Sequence, residues 1–192
     1  MRSIPLSLLL FGVAAVAGSL TTTACGSTLD VPAATDTNAI DTVTLYALRG
    51  TDLLQPSAYD VVGRVVAHTD RLEAFDFAVD IADDGTPLLY PAGTLGLPKD
   101  PGVLLLTTAF DSVTSAPLTG FVSDTVQHLA LGTVFVVKSR PNGLNCALAG
   151  TLPRYGKFHV IAVDLVKRSI SFEALVDANC GYRGLEPGLP TS

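Results

Sequence analysis

The chain has no tryptophan, one methionine and three cysteines in 192 residues. Without tryptophan, neither a sugar-binding platform nor a lipocalin-type mouth has support. Positive charge is also scarce, 12 Lys and Arg against 18 Asp and Glu, and no basic cluster is longer than Lys167-Arg168. An acidic surface repels a phosphate backbone, so nucleic acid is not expected as a partner. The three histidines, His68, His128 and His159, stand far apart in no H-x-H or H-E-x-x-H spacing, so they give no zinc pattern. No G-x-S-x-G elbow, S-x-x-K, phosphate loop or dinucleotide fingerprint occurs. Ser123, Asp124 and His128 are neighbours in sequence. On one extended strand, however, positions 124 and 128 stand about 13 Å apart.

What is present begins at the N-terminus. Arg2 precedes an uncharged apolar stretch, Ile4 to Gly18, which ends among small residues such as Ala17, Gly18, Ser19 and Ala24. The run is shorter than the roughly 20 residues a spanning helix needs, and it contains Pro5, Gly12 and Gly18. Residues 1–24 therefore have the layout of a cleaved secretory signal. The four residues Thr22-Thr23-Ala24-Cys25 resemble the lipobox of bacterial lipoproteins, with Thr22 where an aliphatic residue is usual. The resemblance covers the first 26 residues. It implies that Cys25 becomes the lipid-modified N-terminus, so that the partner is a membrane, reached through a lipid anchor, and the location is the cell envelope. Gly26 is not the aspartate associated with inner-membrane retention, which favours the outer membrane. A triacylated cysteine buries several chains at about 0.8 kcal/mol per CH2, enough for a stable anchor.

Removing residues 1–24 leaves 168 residues with 11 basic and 18 acidic side chains, a net charge of −7. That length suits one domain with a real core. With 48% apolar and 16% charged residues, the chain reads as a packed domain and not a disordered stalk. Cys146 and Cys180 remain once Cys25 is assigned to the anchor. In an exported protein an even pair reads as a disulfide, here closing a loop of about 35 residues. The small polar residues 25–42 read as the lipidated cysteine and a tether, leaving 43–192 as the domain.

Within that domain the texture is β. Residues 43–48, 73–81, 87–93, 102–110, 120–129, 132–139, 157–166 and 169–177 are strand candidates, punctuated by glycine and proline. Residues 73–81 alternate strictly, with Phe75, Phe77, Val79 and Ile81 on one face and Asp76, Ala78 and Asp80 on a wetter one. His159 shares a strand face with Ile161, Val163 and Leu165. Lys167-Arg168 joins the last two candidates as a hairpin. Residues 56–72 are ambiguous. Their valines favour a strand, whereas Ala58, Val61, Val62, Val65 and Val66 with a Ser57/Asp60 start also fit a helical stripe. The expectation is an all-β fold, a single antiparallel β-sandwich or barrel-like domain.

The acidic run around Asp76, Asp80, Asp83 and Asp84 invites a calcium reading. In an EF-hand register begun at Asp80, however, the third position is Ala82 and the twelfth is Pro91. No metal and no cofactor are expected. The C-terminal stretch with Tyr182, Arg183 and Glu186 reads as a turn stapled by Cys180, or else an exposed loop. The domain's texture is similar to that of β-rich envelope lipoproteins. The function expected is that of an envelope-anchored binding or structural module for an unknown protein or envelope ligand, more in keeping with a non-enzyme. The alternative is a secreted hydrolase or metal-dependent enzyme with a site assembled across strands.

Overall fold

A computed structural model describes residues 33–71, 73–141 and 152–191. The signal segment 1–24, Cys25 and Cys146 lie outside the described residues. Among the described residues ten strands follow one another: β1 (Ile40–Tyr46), β2 (Ala58–Asp60), β3 (Val65–Ala67), β4 (Phe77–Ile81), β5 (Pro87–Pro91), β6 (Gly102–Leu106), β7 (Gln127–His128), β8 (Val134–Lys138), β9 (Tyr155–Asp164) and β10 (Ser169–Val176). They form two antiparallel sheets, β1-β10-β9-β8-β6 and β3-β2-β4-β5-β7. Each sheet keeps two edge strands, so the fold is an open sandwich and not a closed barrel.

Period-2 patterning builds the space between the sheets. From the larger sheet, Val43 and Leu45 of β1, Phe135 and Val137 of β8, Phe158 and Val160 of β9, and Ile170, Phe172 and Ala174 of β10 point inward. From the smaller sheet come Tyr59, Phe77, Val79, Ile81 and Leu89. The rings of Tyr59, Phe77, Phe135, Phe158 and Phe172 meet at centroid distances between 5.1 and 6.4 Å, many edge to face. Full burial of one such side chain stabilises the fold by about 1.5–3 kcal/mol, and favourable ring pairing adds to that.

Several local expectations change. Within residues 56–72, positions 58–67 form a hairpin, neither one strand nor a helix. Tyr59 pairs with Val66, and the turn at 61–64 places Arg64 at φ 57°. Asp60 Oδ1 accepts the Gly63 N–H at 2.9 Å, so a side chain satisfies backbone inside the turn. Residues 120–129 give strand only at Gln127–His128, with Val122 bridging Val103. In residues 73–81 the strict alternation begins only at Phe77. Phe75 packs with Ala58, Ala67, Ala78 and Ala92 in a small cluster outside the sandwich core.

The wetter face of β4 is dry: Asp76, Ala78 and Asp80 are all buried. Arginines from distant parts of the chain cover the two carboxylates. Asp80 meets Arg49 Nε at 2.6 Å and Arg168 Nη2 at 3.5 Å, while Asp76 meets Arg140 Nη1 at 3.2 Å. Arg168 belongs to the β9–β10 turn and Arg140 follows β8. The two carboxylates of the smaller sheet are thus strapped to the larger one near each end of β4.

The shared face expected for His159, Ile161, Val163 and Leu165 is broken by a β-bulge. Phe172 pairs with Val160 and Ser171 with Ala162, which leaves Ile161 unpaired and exposed. The extra residue resets the alternation, so Val163 packs against the core; Leu165 lies past the end of β9, in the turn, and is exposed.

The domain also takes in residues 34–42, which composition assigned to the tether. Ala34 N–H donates to the Tyr182 hydroxyl, and Thr35 and Asp36 N–H donate to Asn179 Oδ1. Asn38 and Gly188 exchange backbone hydrogen bonds of 2.7 and 2.9 Å.

Candidate functional site

Strand directions sort the loops into two ends. The start of β1, the end of β8, the start of β9 and the end of β10 lie together, with the C-terminal segment beside them. The loops 47–57, 82–86, 129–133 and 164–168 lie at the opposite end. This follows from the register and from Arg168, which donates to the carbonyls of Arg49 and Ile81. Leu53, Leu54, Leu131, Leu165 and Val166 are exposed there, Val166 at 95%.

The residues predicted from sequence do not converge. Asp124 binds Lys99 Nζ at 2.9 Å, away from His128, which pairs with Leu88 across β7 and β5. Asp84 accepts the Thr86 N–H in the β4–β5 turn, a bond that holds its carboxyl below the usual carboxylate range. Asp76 and Asp80 spend their oxygens on arginine and backbone donors. Among the described residues no group of three His, Cys, Asp or Glu side chains could hold a metal ion.

At the end carrying the two termini, the segment with Tyr182, Arg183 and Glu186 is engaged in structure. Tyr182 and Asn179 receive the incoming N-terminal residues, and the Arg183 guanidinium donates to the Ala116 carbonyl. Cys180 is disulfide-bonded. Both Cys25 and Cys146 lie outside the described residues, so pairing with Cys146 belongs to the proposal below.

Asp177 stands here fully buried. Its Oδ1 accepts two bonds of 2.8 Å from Asn179, whereas Oδ2 has no hydrogen-bond partner among the described residues. Burial pushes the carboxyl up, against the pull of the Asn179 bonds. A raised folded-state pKa means this group favours folding most at low pH, and the contribution is lost as pH rises through the raised value. Asp177→Asn should therefore gain stability relative to the parent as pH is raised from roughly 3 to roughly 7, bracketing the ordinary aspartate value. Urea midpoints at a series of pH values read this out. A constant difference between the two proteins would contradict it.

The histidine that does join a constellation is His159. It projects from the outer face of the larger sheet, where residues 107–121 cross over Val134, Val136 and Leu175 and bury a second apolar cluster. Its Nδ1 lies 3.4 Å from Glu173 Oε2, and its ring stacks on Phe110 at 5.9 Å. On the same face, Lys157 is buried with its ammonium inward. Nζ donates to the Phe110 and Val113 carbonyls at 2.9 and 3.1 Å and sits 4.3 Å from the Phe110 ring centre. Burial lowers its pKa, and the Asp111, Glu186 and Glu173 carboxylates pull the other way. Lys157 thus staples the 110–113 turn to β9.

Between that turn and the sheet lies a cavity of about 370 Å³. Its walls include Thr107, Thr108, Asp111, His159 and Glu173. Sequence reasoning missed Lys157, Glu173 and Asp111. One signal was available: Lys157 and His159 are polar residues at i and i+2 in an otherwise apolar strand, which marks a face that something else must cover. Comparison with protein families, curated proteins and solved structures finds no match for this chain.

Proposed function

We propose that the chain is an envelope lipoprotein, anchored through Cys25, whose β-sandwich serves as a binding or structural module held close to the membrane. The supporting observation is that residues 34–38 enter the fold at the end shared with the C-terminal segment, while exposed leucines and Val166 mark the opposite end. From Cys25 to Ala34 is nine residues, at most about 30 Å when extended. An anchor there leaves the loops 47–57, 82–86, 129–133 and 164–168 facing away from the lipid. Gly26 favours the outer membrane. Cys180 pairs with Cys146, tying the β8–β9 connection to the segment that receives the N-terminus.

The expected result for Cys25→Ala is transfer of the protein from the membrane to the soluble envelope fraction, or accumulation of unprocessed precursor. Intact-mass measurement of the mature wild-type protein should show the acyl additions, together with a hydrogen lost from each of two thiols. An unmodified N-terminus would refute the anchor, and two free thiols in exported material would refute the bridge.

A further inference from the structure

We propose that the cavity beneath residues 107–111 is a binding site for a cationic head, the ammonium or guanidinium of an amine or basic side chain. The reading rests on the domain being a binding module and is independent of the anchor. The cavity, of about 370 Å³, has room for one long side chain and water. Two carboxylates stand in its wall, Asp111 on an exposed turn and Glu173 on β10, and neither lysine nor arginine lines it, His159 being the one basic group among the lining residues. Glu173 is engaged by His159 through Oε2.

The nearest cation, Lys157, faces away. It is 2% exposed, and its ammonium is spent on the Phe110 and Val113 carbonyls and the Phe110 ring. It therefore shapes the wall from beneath, its ammonium offsetting part of the Asp111 and Glu173 charge without offering either a hydrogen bond. The remaining lining matches a long basic side chain. Leu106, Val134 and the edge of the Phe110–His159 stack suit a methylene stem, while the threonine hydroxyls and carboxylates suit its head. An anionic ligand would meet two carboxylates, with His159, itself engaged by Glu173, as the one basic group among the lining residues.

The test titrates the mature lipidated protein in detergent while following the histidine ring resonances by NMR. Four probes are used: N-acetyl-lysine methylamide, N-acetyl-arginine methylamide, putrescine and, as the acidic control, N-acetyl-glutamate methylamide. Saturable shifts of His159 with the cationic probes, and not of His68 or His128, are expected, weakening as salt rises. Glu173→Gln should weaken binding at least about tenfold, as loss of one charge-assisted bond does. Asp111→Asn, on an exposed side chain, should act in the same direction without disturbing the fold. Stronger binding of putrescine points to a small amine, and stronger binding of the amino-acid probes to a protein partner. A His159 signal that stays still to millimolar probe, equal shifts with the acidic control, or titrations unchanged in both variants would overturn the site. None of those results would alter the membrane release expected for Cys25→Ala.

Discussion

Phe77→Ala should lower the stability of the domain by about 3–5 kcal/mol, the range for removing a large aromatic side chain from a packed core. Phe77 is fully buried, and it is the phenylalanine that the smaller sheet sends into the aromatic cluster. Its ring lies 5.7 Å from Phe135, 5.1 Å from Phe158 and 6.4 Å from Phe172, all on the larger sheet, and 5.9 Å from Tyr59. Truncation would open a void between two sheets whose relative position is also held by the arginine straps, so collapse around the gap is limited. Against a total of about 5–15 kcal/mol for a typical domain, most of the margin would go. The reading is a lower urea midpoint at unchanged slope. A loss below about 1 kcal/mol would mean that the sheets re-close without the ring.

Asp76→Ala should cost about 3–5 kcal/mol by a different route, the removal of one partner from a buried ionic network. Asp76 is fully buried. Its Oδ1 accepts the Arg140 N–H at 2.8 Å, and its Oδ2 accepts the Val61 N–H at 2.8 Å and the Arg140 guanidinium at 3.2 Å. Alanine would leave the buried Val61 N–H and the half-buried Arg140 donors without their acceptor, with Asp60 alone to hold the guanidinium at 2.8 Å. Asp76→Asn keeps an acceptor oxygen and should lose less, because burial already pushes the Asp76 carboxyl up and a neutral group there is tolerated. Equal losses for Asn and Ala in urea unfolding would show that charge, not hydrogen bonding, carries the contribution.

These two residues illustrate how differently a sequence reveals its parts. Phe77 is legible, because its alternation with Val79 and Ile81 is a local property of a strand. Asp76 and Asp80 share that segment, and the same alternation assigns them to solvent. They are buried because Arg49, Arg140 and Arg168 close over them, and Arg140 lies 64 residues away from Asp76. No local period encodes a partner at that separation. The candidate site behaves likewise. His159 is visible in the chain, but the cavity beside it exists only because Lys157 pins residues 110–113 across the outer face of the sheet.

The segments that departed from expectation do so for reasons that can be named. In residues 56–72 helical and strand periods overlap. The hairpin prevails because Asp60 caps a turn at Gly63 and because the Val61 N–H, at the start of that turn, donates to Asp76 just before β4. At Ile161 one inserted residue turns a face over, and the pattern of side chains before it gives no warning.

By itself, the sequence determined the all-β class, the central strands of both sheets, the hairpin of β9 and β10 and the expectation of a lipid anchor, because each rests on neighbours within a few residues. The tertiary structure alone decided which polar groups are buried, where the N-terminal residues are strapped and where a cavity opens. Those outcomes depend on desolvation and on contacts between residues far apart in the chain, and such free energies are defined only once the two sheets have met.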